Sequence, residues 1–159
     1  MTIALATPVI SDAATITASS ESAPLPVSNL LTRQPKDVWR TLALQAYATF
    51  DLGAVETVQL VWLGYTNATS SATWRVRAAD SEANLTAAPG YDSGTLLQWP
   101  SPDLGDWERR HAFLWIPGPV AFQWWRIDVD NVGAAAGYFQ AGRAYLSDPW
   151  SPPFGMDFG

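Results

Sequence analysis

Ser28-Asn29-Leu30-Leu31, running on to Val38-Trp39-Arg40-Thr41 and then to Phe50-Asp51-Leu52-Gly53, decides how this chain is read. A loop offering an Asn-Leu pair is followed one short loop later by Trp-Arg, and then by a β-type run closed by Asp-Leu-Gly. Such a sequence suits a β-sandwich whose N-terminal loop folds back against a Trp. Trp39 is expected to plug one end of the sandwich, and Arg40 to fasten the loop. Asp51, at the end of the strand that follows, is the expected partner of Arg40. Asn29, Trp39, Arg40 and Asp51 are therefore the expected structural set, and none of them suggests catalysis.

Outward from this stretch, short β-type runs alternate with clusters of Pro, Gly, Asn, Asp and Ser. Ala14 to Ser19 and Tyr47 to Leu52 alternate, and Gly53 closes the second. Val58 to Tyr65 is continuously apolar, which predicts a central strand. Thr73 to Ala79 sets Trp74, Val76 and Ala78 on one face and Arg75 and Arg77 on the other. Thr95 to Trp99, His111 to Ile116, Trp124 to Val129 and Phe139 to Leu146 bring the total to about eight strands. That count favours an all-β sandwich or jelly roll. The predicted core contains Leu60, Trp62, Trp74, Val76, Ile127 and Val129. Helix signals are poor: Val27 to Leu31 suits one turn, capped by Ser28 and stopped by Pro35.

Two units are expected, a sandwich domain over 1–147 and an extended arm over 148–159. The arm has no periodicity, carries Pro149, Pro152 and Pro153, and displays Trp150, Phe154 and Phe158. Those three aromatics are the expected partner-binding residues, docking on another chain, because aromatic anchors dominate interfaces.

The chain has 159 residues, enough for one core. Charged residues make up only 15%, against about a quarter in an average domain, and nine Trp are present. Low charge and surplus aromatic area suit a protein that lives in an assembly. The formal charge is −6 and the nine basic residues are scattered, so nucleic acid is not an expected partner. Cysteine is absent, which removes disulfides and thiolate chemistry. Met1 to Ile10 has neither a basic start nor a long apolar run, so no signal peptide is expected, and no apolar stretch is long enough for membrane insertion.

Nucleophilic catalysis needs a base, and His111 is the sole His, set within a predicted strand. No Gly-x-Ser-x-Gly elbow is present. Asp103, Asp106 and Glu108 surround Trp107 in a manner that mimics a sugar subsite but reads as a solvated loop. The expectation is a protein that is not an enzyme. Asn67-Ala68-Thr69 and Asn84-Leu85-Thr86 match glycosylation sequons and read as turn residues. Trp99, Trp107 and Trp150 sit near predicted turns, where sugars stack on exposed rings, and are the alternative carbohydrate-binding set.

Ser28-Asn29-Leu30 with Trp39, Phe50-Asp51-Leu52-Gly53, Val58-Gln59-Leu60-Val61, Trp74-Arg75-Val76-Arg77 and Trp125-Arg126-Ile127-Asp128 together resemble the discoidin family (coagulation factor 5/8 C-type) of galactose-binding-like domains. The resemblance covers roughly residues 9 to 147 and implies a jelly-roll β-sandwich. The disulfide that often links the family's termini is missing. The family's corresponding loop often holds a structural calcium ion, for which Asn29, backbone carbonyls and Asp37 are on offer. Leu31-Thr32-Arg33 stands where an acid would follow, and Arg33 would repel a cation, so no cofactor is expected.

Gly142-Arg143 in a late strand, followed by Pro149-Trp150-Ser151-Pro152, is closer still to the sandwich domains of tailed-bacteriophage tail proteins. That resemblance implies a non-enzymatic virion component of the tail tip, baseplate or fibre attachment. Such a protein is present in several copies, contacts other tail proteins and is assembled in the host cytoplasm. The alternative is a carbohydrate-binding module that recognises host-surface glycans.

Overall fold

The computed structural model describes residues 5–34, 36–99 and 111–150. Among them run β1 (Thr15–Ala18), β2 (Trp39–Arg40), β3 (Gln45–Gly64), β4 (Thr73–Ala79), β5 (Tyr91–Asp92), β6 (Leu96–Leu97), β7 (Ala112–Asp130), β8 (Gln140–Ala141) and β9 (Arg143–Ser147). Two single-turn helices, α1 (Val9–Asp12) and α2 (Asn84–Ala87), and a 3₁₀ turn over Val27–Leu31 complete the elements. The all-β sandwich expected from the alternation is the fold that forms.

Its frame is one long antiparallel pair. β3 and β7 are matched from Gln45 opposite Asp130 to Asp51 opposite Trp124, and again from Glu56 opposite Phe122 to Leu63 opposite Ala112. The first half of β3 also carries β1, and the matching half of β7 carries β4. β5 and β6 pair with β4. The second half of β3 carries β9 instead. One antiparallel pair thus supplies the middle of both layers, and Gly53 sits at the change-over. Its φ of +75° is left-handed, where a side chain would strain the backbone.

Gly53 therefore does not close a strand, as the sequence suggested, because a Gly inside a run also marks a bulge. The runs Tyr47 to Leu52 and Val58 to Tyr65 are one strand, as are His111 to Ile116 and Trp124 to Val129. Phe139 to Leu146 is corrected in the opposite sense. It breaks at Gly142 into β8, paired with β2, and β9, paired with β3.

The core fills the space between the layers with Ala48, Phe50, Val58, Val61, Leu63, Trp74, Val76, Trp125, Ile127 and Leu146, all buried. A second irregularity between Val58 and Leu60 switches the inward positions of β3 from even numbers to odd. A one-residue offset flips every later side chain to the other face. Trp62, expected in the core, therefore points outward and is only half-buried, whereas Leu60 is buried on that outer face, outside the main cluster. Trp62 stacks between Tyr145 and His111, with ring centroids 4.9 and 5.2 Å away. Its ring lies over Gly64, where a Cβ would collide with it.

One end of the sandwich is closed by the N-terminal loop. Trp39 is fully buried, meets Phe139 edge-on at 6.0 Å and donates its Nε1–H to the Ser20 carbonyl at 3.1 Å. Asn29 donates its side-chain amide to the Val38 carbonyl at 2.9 Å, tying the 3₁₀ turn to the start of β2. The turn is capped by the Glu21 carboxylate, which accepts the Val27 N–H at 2.7 Å, and not by Ser28. Arg143, 3% exposed, joins three segments: it is ion-paired with Asp12 of α1, donates to the Leu30 carbonyl and lies over the Tyr145 ring.

Candidate functional site

Strand alternation that buries Trp74, Val76 and Ile127 must turn their neighbours outward, and the strand order β3–β7–β4 brings those neighbours together. Across this outer face Tyr47 stands opposite Asp128, which stands opposite Arg75. In the next row Thr49 faces Arg126, which faces Arg77, and in the row on the other side Gln45 faces Asp130, which faces Thr73. Ser19 and Thr95 complete the rim of an open cleft of about 580 Å³. That size suits a small ligand.

Electrostatics order the floor. Arg77 and Arg126 are direct cross-strand neighbours, and a like-charged pair so placed is unfavourable. Asp128 lies between them and accepts from both. It bonds Arg77 through Nε at 3.1 Å and Nη2 at 2.8 Å, and Arg126 through Nε at 2.8 Å and Nη2 at 2.7 Å. The Tyr47 ring backs the Arg126 guanidinium at 3.4 Å and fixes its plane. Gln45 donates to Asp130 at 2.8 Å. At the side of the cleft Arg75 forms a bidentate pair with Asp92, whose carboxylate also accepts the Gly94 N–H.

The hydrogen bond from Arg75 holds the Asp92 carboxyl down at about 2 and raises the Arg75 guanidinium above its ordinary value. Burial raises the Tyr91 hydroxyl, with the Asp92 charge adding to it. A carboxyl depressed in the folded state stabilises the fold above its unfolded value of 3.8, and that contribution disappears as pH falls through about 2. Asp92→Asn is therefore expected to lower stability above pH 4 by no more than about 1 kcal/mol, because the pair is partly exposed. The difference from wild type should vanish towards pH 2, as read by denaturant midpoints across that range. A gap of constant size throughout would contradict it.

The sequence-derived residues are distributed differently. Arg40 does not contact Asp51: its Nε and Nη2 reach Gln140 Oε1 at 3.1 and 2.8 Å, and its guanidinium covers the Tyr138 ring. Asp51 accepts from Gly53 N and Gln123 Nε2 instead. The cause is register: β2 pairs with β8 and so carries Arg40 alongside Gln140, away from the bend where Asp51 lies. Trp99 donates its Nε1–H to the Ala68 carbonyl, beyond the Gly64 end of β3. Trp150, 59% exposed, is paired with Leu5 and follows Ser147, which stands opposite Leu60. The length of β9, roughly 13 Å over four steps, separates the two ends, so these two rings do not form one platform. Trp107, Phe154 and Phe158, with most of the expected arm, lie outside the described residues, as do Asp103, Asp106 and Glu108.

No group of three or more His, Asp or Glu side chains fit to hold a metal stands together among the described residues. Asn67 of the first sequon is fully engaged, accepting the Gln140 N–H and donating to the Tyr138 carbonyl. His111 accepts the Tyr65 N–H through Nδ1 beside Trp62, on the other layer from the cleft. A row of aromatics, Tyr145, Trp62 and Phe113, crosses that layer's outer face. Trp62 and Tyr145 lie face to face with each other, leaving edges rather than faces for a ligand.

No protein-family model and no curated protein matches this chain. Solved structures do match it. The family 32 carbohydrate-binding module of Clostridium perfringens NanJ, in complex with galactose, aligns at 16% identity over 92% of this chain and 100% of its own, with a TM-score of 0.62. The family 32 module of AlyQ, in complex with 4,5-unsaturated mannuronic acid, aligns at 19% identity over 83% and 92%, with a TM-score of 0.59. Chitosan-binding module 1 of a Paenibacillus sp. IK-5 chitosanase/glucanase aligns at 16% over 86% and 96%, with a TM-score of 0.61. At these identities the likeness establishes the galactose-binding-like sandwich fold.

Proposed function

We propose that this chain is a non-catalytic carbohydrate-binding module that takes a glycan in the cleft on the outer face of β3, β7 and β4. The observation that carries this reading is the cleft itself. It is open, polar and of a sugar's size, and its donors and acceptors are fixed in advance by the Arg77–Asp128–Arg126 bridge and the Tyr47 ring. Fixed planar groups lose little entropy when they bind hydroxyls, which is what a rigid recognition surface needs.

The same bonds argue against glycosidase chemistry at this site. A glycoside-cleaving pair needs one carboxyl kept protonated near neutral pH. The Asp128 carboxylate is taken up by two guanidinium groups, and Asp92 is held at about 2 and stays an acceptor. The sugar ligands named with the structural relatives favour this reading over a purely structural part in a phage tail. Recognition would then rest on the sheet face and not on the loop aromatics Trp99, Trp107 and Trp150.

A glycan array followed by isothermal titration of the best ligand tests the reading. Asp130→Asn and Tyr47→Ala are expected to weaken that ligand by at least about tenfold, the scale of one charge-assisted hydrogen bond. Silence across the array, or undiminished binding by both variants, would end it.

A further inference from the structure

We propose that the cleft selects sugars bearing a carboxylate, with the free guanidinium donors of Arg75 and Arg77 receiving the acid group beside the Arg126 charge, and the Asp130 side receiving ring hydroxyls. The inference rests on the glycan-binding reading and adds to it the class of ligand. Its starting point is a charge imbalance. Two guanidinium groups, with side chains 10% and 17% exposed, share the single carboxylate of Asp128. The trio keeps one positive charge at the cleft floor, where low exposure limits its screening by water. Arg75 does not cancel it, because Asp92 already neutralises Arg75.

Donors remain to meet an anion. The bonds to Asp128 and Asp92 use Nε and Nη2 of Arg77 and Arg75, and Nη1 of each has no hydrogen-bond partner among the described residues. Guanidinium N–H groups held in a plane match a carboxylate better than a lone hydroxyl. Two residues further along β7, Asp130 gives the cleft a negative side. A carboxylate is repelled there, while hydroxyl donors are accepted, and this polarity fixes which way round a ligand lies. Gln45 and Thr73 flank Asp130 as additional neutral groups.

An acidic peptide is the competing anion, and the topology disfavours it. The cleft lies over three strands whose backbone groups are used in the β3–β7 and β7–β4 ladders, so a peptide finds no sheet edge to extend.

The test uses matched pairs: trimers of galacturonate, glucuronate and mannuronate, each beside the same trimer with its carboxyls reduced to alcohols, titrated calorimetrically. At least one acid form is expected to bind about tenfold or more tighter than its reduced twin. That preference should collapse in Arg126→Gln, and in Arg75→Gln the binding should fall with retention of fold by circular dichroism. Equal affinity within every pair would overturn the carboxylate assignment while leaving glycan binding intact. Failure of every trimer, together with a silent glycan array, would remove both readings. Hexaglutamate bound as tightly as the best uronate would show recognition of charge alone and overturn the proposal, as would a preference that survives both Arg variants.

Discussion

Replacing Trp39 with alanine is expected to remove about 3–5 kcal/mol of stability, the usual cost of truncating a fully buried aromatic. The ring is 0% exposed and lies between the N-terminal loop and the sandwich, against Phe139. Truncation also leaves the Ser20 carbonyl without its indole donor. Domains of this kind are stable by only about 5–15 kcal/mol, so the loss is a large fraction of the whole. The melting temperature should fall by about 10 °C or more. Leu42→Ala, at a side chain 72% exposed, is the control and should stay within about 0.5 kcal/mol of wild type. A Trp39→Ala protein melting within 2 °C of wild type, on the scale of about 1 kcal/mol or less, would refute the idea that this loop closes the core.

What the sequence made legible followed from unbroken local patterns. β4 was read with its observed bounds, because Trp74, Val76 and Ala78 alternate with Arg75 and Arg77 without a bulge. Trp39 was assigned to the end of the sandwich, where it lies. Trp62 was misassigned because the irregularity between Val58 and Leu60 leaves no mark in an all-apolar run. Gly53 reads as a strand end and the run from His111 stops at Ile116 in the sequence, although β3 and β7 pass through both.

The candidate site was half visible. Alternation placed Arg75 and Arg77 on one outward face, and the same reasoning applied to Arg126-Ile127-Asp128 would have put Arg126 and Asp128 together. That these two faces are one required the pairing of β4 with β7, which no local signal carries. Tyr47 and Gln45 needed a further non-local pairing, β3 with β7. Trp99 and Trp150 stand out in the sequence instead, because aromatic residues beside turns resemble sugar platforms one at a time. Whether they share a platform depends on the direction of β9, and β9 carries them apart.

The last expectation concerns Arg143, in the Gly-Arg strand that drew notice in the sequence. Asp12→Ala should cost about 3–5 kcal/mol, because it strands a guanidinium that is 3% exposed. Among the described residues the remaining partners are the Leu30 carbonyl at 3.4 Å and the Tyr145 ring, and Nε has no acceptor. Those contacts are too few to hold a buried charge without its carboxylate. Arg143→Met should be milder than Asp12→Ala, since it removes the buried charge, keeps most of the side-chain volume and leaves an Asp12 that is 25% exposed and open to water. The double variant then gives the sharpest reading. With no charge left to strand, it should regain about 2 kcal/mol or more over Asp12→Ala alone, a strong departure from additivity. Equal stability of the double and the Asp12→Ala variant in urea titrations would mean that packing, and not the buried ion pair, joins α1 to β9.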